Sequence, residues 1–110
     1  MSPAKSPIDD AVRRIVDAVQ PEAVFLFGSR ARGDAGEGSD WDLFVVVPDD
    51  VAPGTVTPSR LRRLLNGMGV AFDVVACRRS VFEDRKADPN SLSHDVVEDG
   101  VLLYERQPRA

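Results

Sequence analysis

Residues Ala23 to Val47 read AVFLFGSRARGDAGEGSDWDLFVVV, and their reading decides the fold. Ala23 to Phe27 is short, β-branched and aromatic and stops at a glycine, the pattern of a buried strand ending in a tight turn. Leu43 to Val47 has the same character. Between them stand Gly28, Gly33, Gly36 and Gly38, too many for a helix of ordinary length, so this is a loop with one helical turn near Ser29 to Arg32. Two strands joined by a glycine-rich loop suggest a phosphate cradle.

Asp40 and Asp42 supply the chemistry. In a strand, residues two apart point to one face, about 6.6 Å apart along the chain. Two anions at that spacing repel unless a proton or a cation lies between them, and a hard divalent ion with oxygen ligands is the ordinary solution. Mg²⁺ fits, because it takes a few carboxylates and completes its shell with water and substrate phosphates. A third carboxylate, Asp73, lies inside the apolar run Val70 to Ala76, where burial without a partner would be costly. If that run is the neighbouring strand, strand spacing sets Asp73 roughly 5 to 7 Å from the pair. Three carboxylates can then hold two metal ions about 3.5 to 4 Å apart, the arrangement that clamps attacking and leaving oxygens in phosphoryl transfer.

Gly28-Ser29, ten intervening residues, Asp40-Trp41-Asp42, the segment Ala31-Arg32-Gly33 and the later Asp73 together resemble the minimal nucleotidyltransferases (MNT) of the DNA polymerase β superfamily. The resemblance extends to the closing SLSHDVVEDGVLLYER, Ser91 to Arg106, which is similar to that family's terminal helix and strand. It implies an α/β (α+β) palm: a mixed sheet with helices packed mainly on one face. It also implies transfer of a nucleoside monophosphate from a triphosphate to an acceptor hydroxyl. On that pattern Asp40 and Asp42 hold two Mg²⁺ ions on the triphosphate, while Asp73 completes the second site and orients or deprotonates the acceptor. Gly28 and Ser29 cradle phosphates, and Arg30 and Arg32 are candidate phosphate neutralisers. MNT proteins are typically encoded beside a HEPN-domain toxin and modify it with AMP from ATP on a tyrosine, so the resemblance implies an antitoxin. Two other readings stay open: a non-catalytic antitoxin that neutralises by binding, and a transferase for a small molecule or an RNA 3′ end.

At 110 residues the chain reads as one domain, 1–110, with no room for a second. Hydrophobic residues make up 43% and charged ones 29%, and no run approaches the roughly 20 apolar residues of a membrane helix, so a soluble protein is expected. The start, MSPAKSPIDD, lacks the apolar core of a signal peptide, and one cysteine, Cys77, cannot form an internal disulfide; both favour the cytoplasm. Cys77 has no evident base beside it and reads as inert. A net charge of −4 and a pI near 4.9 disfavour broad attachment to nucleic acid or an anionic membrane. The many arginines are then read as a surface of mixed sign.

Ser6 as N-cap, Pro7 and the acids Asp9 and Asp10 predict a helix whose stripe is Ile8, Val12, Ile15, Val16 and Val19, ended by Pro21. Pro48 to Pro58 reads as a mobile connector. Ser59 to Met68 reads as an arginine-rich helix stopped by Gly67 and Gly69, and Ser80 to Ala87 as a short helix capped by Ser80. A helix starting at Asn90 or Ser91 runs to about Glu98, and Gly100 releases a last strand, Val101 to Tyr104. His94, the single histidine, reads as a surface or partner-contact residue, because no second His or Cys accompanies it. Trp41 is expected to face away from the aspartates, toward packing.

Overall fold

The computed structural model describes residues 7–33, 36, 40–52 and 54–106. The first helix, α1 (Pro7–Val19), buries Ala11 and Ile15 and carries Asp9 and Asp10 in its first turn, where carboxylates complement the helix dipole. Ser6, expected to cap it, lies outside the described residues. Gln20, at φ 53°, turns the chain out of the helix ahead of the buried Pro21. The strand β1 (Ala23–Phe27) follows, then one turn of helix, α2 (Ser29–Arg32), and β2 (Trp41–Val47).

A crossover through α3 (Pro58–Leu64) leads to β3 (Phe72–Arg78). Thr57 caps α3 by accepting from the Arg60 amide, and Pro58 stands at the first helical position, one residue earlier than expected. The helix also ends sooner than Met68, with Leu65 at its C-cap, because Gly67 at φ +83° and Gly69 at φ +79° reverse the chain. Val70 is left 39% exposed, so β3 begins two residues later than the apolar run. It runs on to Arg78 because β2 offers partners as far as Val47.

The last elements are α4 (Arg79–Arg85), α5 (Leu92–Asp99) and β4 (Val101–Glu105). Ser91 caps α5 by accepting from the His94 amide, so of the two starts expected, Asn90 or Ser91, the structure has the second as the cap. Ser80 does not cap α4; its amide instead donates to Asp49 Oδ1 at 2.9 Å, and Arg78 Nη1 donates to the Asp49 carbonyl. The connector after β2 therefore holds the start of α4.

The four strands form a mixed sheet in the order β3-β2-β1-β4. β1 is antiparallel to β2 and β4, while β2 and β3 run parallel. Helices lie on both faces rather than mainly on one. Val24, Leu26, Leu43, Val45, Val47 and Val74 pack with Ala11 and Ile15 of α1 and with Leu61 of α3 and Leu65 just beyond it. Ala23, Phe44 and Val46 pack with Phe82 of α4 and Val96 of α5. Phe82 sits 5.7 Å, centroid to centroid, from both Phe25 and Phe44. β2 is consequently buried on both faces from Leu43 to Val47, which is why its sequence is an unbroken apolar run. No described helix is long and apolar enough to cross a membrane.

Candidate active site

The polar groups gather at the sheet end where β1 finishes and where β2 and β3 start. Register sets Phe27 opposite Asp42, and Asp42 opposite Asp73 on the parallel neighbour. Paired residues on adjacent strands share a face, so both carboxylates point to the side that holds Phe44 and Val46. Asp40 is exposed and precedes the first residue of β2, so the aspartate pair straddles a strand start and does not lie within a strand. Asp73 is exposed as well. Its position in an apolar run does not reflect burial: it stands at the open end of an edge strand.

Asp42 is the carboxylate with the perturbed environment. Burial pushes its pKa up, the nearby charges of Asp73 and then Asp40 raise it further, and Arg32 opposes them. The three aspartates therefore share one electrostatic site, with Arg32 beside it. Gly28 closes the site from the β1 side. It adopts φ 75°, ψ −156°, a conformation open in practice to glycine alone, and a Cβ there would lie 2.2 Å from Asp42 Oδ2. The turn α2 starts at that point, with the Ala31 and Arg32 amides both donating to the Gly28 carbonyl at 3.1 Å. Ser29 is its first residue.

Trp41 points to the opposite face, as alternation requires, and packs against the cluster that includes α1 and α3. The Arg30 guanidinium lies over its ring, 4.1 Å from the centroid. The two arginines of the loop thus divide, with Arg32 toward the carboxylates and Arg30 stacked on Trp41. Sequence reasoning offered both as candidate phosphate neutralisers and missed the stack, because Arg30 and Trp41 stand eleven residues apart in the chain.

The remaining single residues stand apart from this site. Burial pushes the Cys77 thiol up, a hydrogen bond with Ser93 and the charge of Arg85 offsetting it in part, which suits an inert residue. His94 is half-buried, with Asp95 and Glu98 at 3.9 and 3.8 Å, and its Nδ1 has no hydrogen-bond partner among the described residues. Among those residues no group of three His, Cys, Asp or Glu side chains stands as a ready cage for an ion. The donor set still fits a hard divalent cation. Mutually repelling carboxylates gain from one, and Mg²⁺ draws the rest of its shell from water and phosphate oxygens.

A glycine-opened turn pressed against paired carboxylates at the end of a mixed sheet is an arrangement suited to holding a polyphosphate. In agreement, the family model described as "Polymerase beta, Nucleotidyltransferase" matches residues 12–109, and the chain belongs to that family. Members of this family generally use a nucleoside triphosphate and a divalent metal.

Among solved structures the chain is similar to a putative nucleotidyltransferase from Sulfolobus solfataricus, with a TM-score of 0.54 and 27% identity over 96% of this chain and 93% of that one. It is also similar to a chain of a toxin-antitoxin crystallised with AMP-PNP, with a TM-score of 0.64 and 20% identity over 90% of this chain and 73% of that one. A mutant form of the toxin-antitoxin MntA-HpeT gives a TM-score of 0.64 and 18% identity, covering 94% and 76% of the two chains. No curated protein matches the chain in sequence.

Proposed function

We propose that this chain is a metal-dependent nucleotidyltransferase that moves AMP from ATP to a hydroxyl of a partner toxin of the HEPN type, tyrosine being the expected acceptor, and so serves as its antitoxin. The observation that carries the proposal is the parallel register of Asp42 and Asp73, with Gly28 fitted against the Asp42 carboxylate. The resemblance of the motif to MNT proteins supports the partner, as does the likeness to toxin-antitoxin chains, one of them crystallised with AMP-PNP.

Asp40, Asp42 and Asp73 are the residues that would hold Mg²⁺, which when bound neutralises the triphosphate and makes its α-phosphorus open to attack. Gly28 and Ser29 receive the β and γ phosphates at the start of α2, and Arg32 balances charge beside them. Arg30 acts by bracing α2 on Trp41. Asp73, exposed where Asp42 is half-buried, orients the acceptor hydroxyl and takes its proton. The hydroxyl oxygen then bonds to the α-phosphorus as the bond from that phosphorus to the bridging oxygen breaks, and pyrophosphate leaves. The pair works in the cytoplasm, where ATP and Mg²⁺ are at hand.

The test is the intact mass of a candidate HEPN-type partner protein, after incubation with the chain, Mg²⁺ and each of the four NTPs in turn. A mass gain of one or more AMP units with ATP, absent with Asp40→Ala/Asp42→Ala, is expected. An unchanged mass in a stable complex would instead establish neutralisation by contact alone.

A further inference from the structure

Four of the large apolar side chains most open to solvent among the described residues, Leu92, Val97, Val101 and Leu102, belong to α5 and β4. Val97, Val101 and Leu102 are 47%, 44% and 48% exposed and flank the turn at Gly100; Leu102 shares the face that α5 covers, while Val101, paired with Leu26, takes the other, so the three follow the β4 edge. That turn is pressed onto β1: a Cβ on Gly100 would lie 2.3 Å from the Val96 carbonyl oxygen and 3.0 Å from that of Leu26. β4 is an edge strand, so among the described residues one of its sides has no strand beside it.

This rim lies at the same end of the sheet as the carboxylates. Val101 pairs with Leu26 and Leu102 with Phe25, while Phe27 pairs with Asp42. Leu102 is thus two strands across and two residues along from Asp42, on the same face, a Cα separation of about 12 Å from strand spacing and rise. A standard protein interface of about 800 Å² per partner has a radius near 16 Å and spans both. The cavities of about 300 and 570 Å³, lined by Thr55 and Arg60 and by Pro48 and Asp49, lie at the other end of the sheet.

The charge around the rim selects among occupants. Asp95, Glu98, Asp99 and Glu105 are all exposed on these two elements. A second copy of the chain would bring carboxylates against carboxylates, whereas a partner with lysines and arginines around an apolar centre complements them. We infer that the rim of Val97, Val101 and Leu102 along the β4 edge is the docking surface for the protein acceptor, a partner of that basic and apolar character, seated so that its hydroxyl reaches Asp42 and Asp73. The inference rests on the reading that the acceptor is a protein.

The experiment measures the affinity of the chain for the partner protein of the mass test, without nucleotide, for the wild type, Leu102→Glu, Leu102→Met and Asp40→Ala/Asp42→Ala. ATP binding and melting temperature are measured alongside. A carboxylate set into an apolar contact weakens it strongly. Leu102→Glu should raise the Kd for the partner at least tenfold while ATP binding stays within twofold, and Leu102→Met should bind as the wild type does. The double aspartate variant should keep the complex and lose transfer, so a failed transfer reaction and a misplaced docking surface give different results. Partner binding by Leu102→Glu within twofold of the wild type overturns the inference. So does a dimer of the chain alone that Leu102→Glu dissociates.

Discussion

Gly28→Ala separates two costs that the structure assigns to one residue. The first is conformational: at φ 75° and ψ −156° a side-chain-bearing residue is strained by about 1 to 3 kcal/mol. For a domain of this size about 2 kcal/mol corresponds to a fall in melting temperature of roughly 8 to 16 °C. The second is positional. The new Cβ would stand 2.2 Å from Asp42 Oδ2, so the carboxylate must retreat by about 1 Å to reach ordinary contact, and a displacement of that size at a reacting centre costs on the order of 100-fold in rate. Gly33→Ala is the control, because Gly33 also has positive φ, 81°, while its Cβ would meet nothing within 4 Å. That variant should lose about 1 to 2 kcal/mol from the left-handed backbone and keep its transfer rate. Thermal melts, with transfer assayed well below both midpoints, distinguish the two. Equal transfer by the two alanine variants would refute the assignment of Gly28 as the residue that positions Asp42.

Asp42→Asn should be more stable than the parent at pH 7, by no more than about 1 kcal/mol because solvent screens much of the repulsion. The sign follows from the raised pKa: the folded chain holds that proton more tightly than the unfolded chain, so stability falls as pH rises through the folded pKa. Denaturation across pH should show the gain vanish below roughly pH 3.5, where the carboxyl is protonated in both states. Phe82→Ala removes the ring between Phe25 and Phe44 and should cost about 3 to 5 kcal/mol in urea titration, since α4 is held to its face of the sheet largely by that side chain. Asp49→Ala removes the acceptor for the Ser80 amide and should cost about 1 kcal/mol while leaving transfer unchanged, because that contact lies at the sheet end away from Asp42.

Much of this fold is legible in short-range chemistry. β1 ends where Gly28 interrupts an apolar run, α5 starts where Ser91 can accept the His94 amide, and Trp41 turns away from its flanking aspartates by strand alternation. What escapes the sequence depends on distant partners. The cap of α4 comes from Asp49, 31 residues before Ser80, and no local pattern marks it. The start of β3 is set by Ala71, whose carbonyl accepts the Trp41 amide from the other strand. The unbroken run from Leu43 to Val47 did carry a sign that both faces of the sheet are covered, since a strand with one wet face alternates. Asp73 is instructive for a different reason. Its apolar neighbours suggested a costly burial, yet it is exposed, and what marks it is its register beside Asp42.

Asp73 also offers the most direct test of the carboxylate pair. It is exposed and no packing depends on its charge, so Asp73→Asn should melt within about 3 °C of the wild type. Pyrophosphate release in the presence of ATP, Mg²⁺ and the partner protein should nonetheless fall by about 100- to 10,000-fold, the range expected for loss of a positioned acid-base group. A folded Asp73→Asn chain that releases pyrophosphate at the wild-type rate would contradict the assignment of this pair as the catalytic centre.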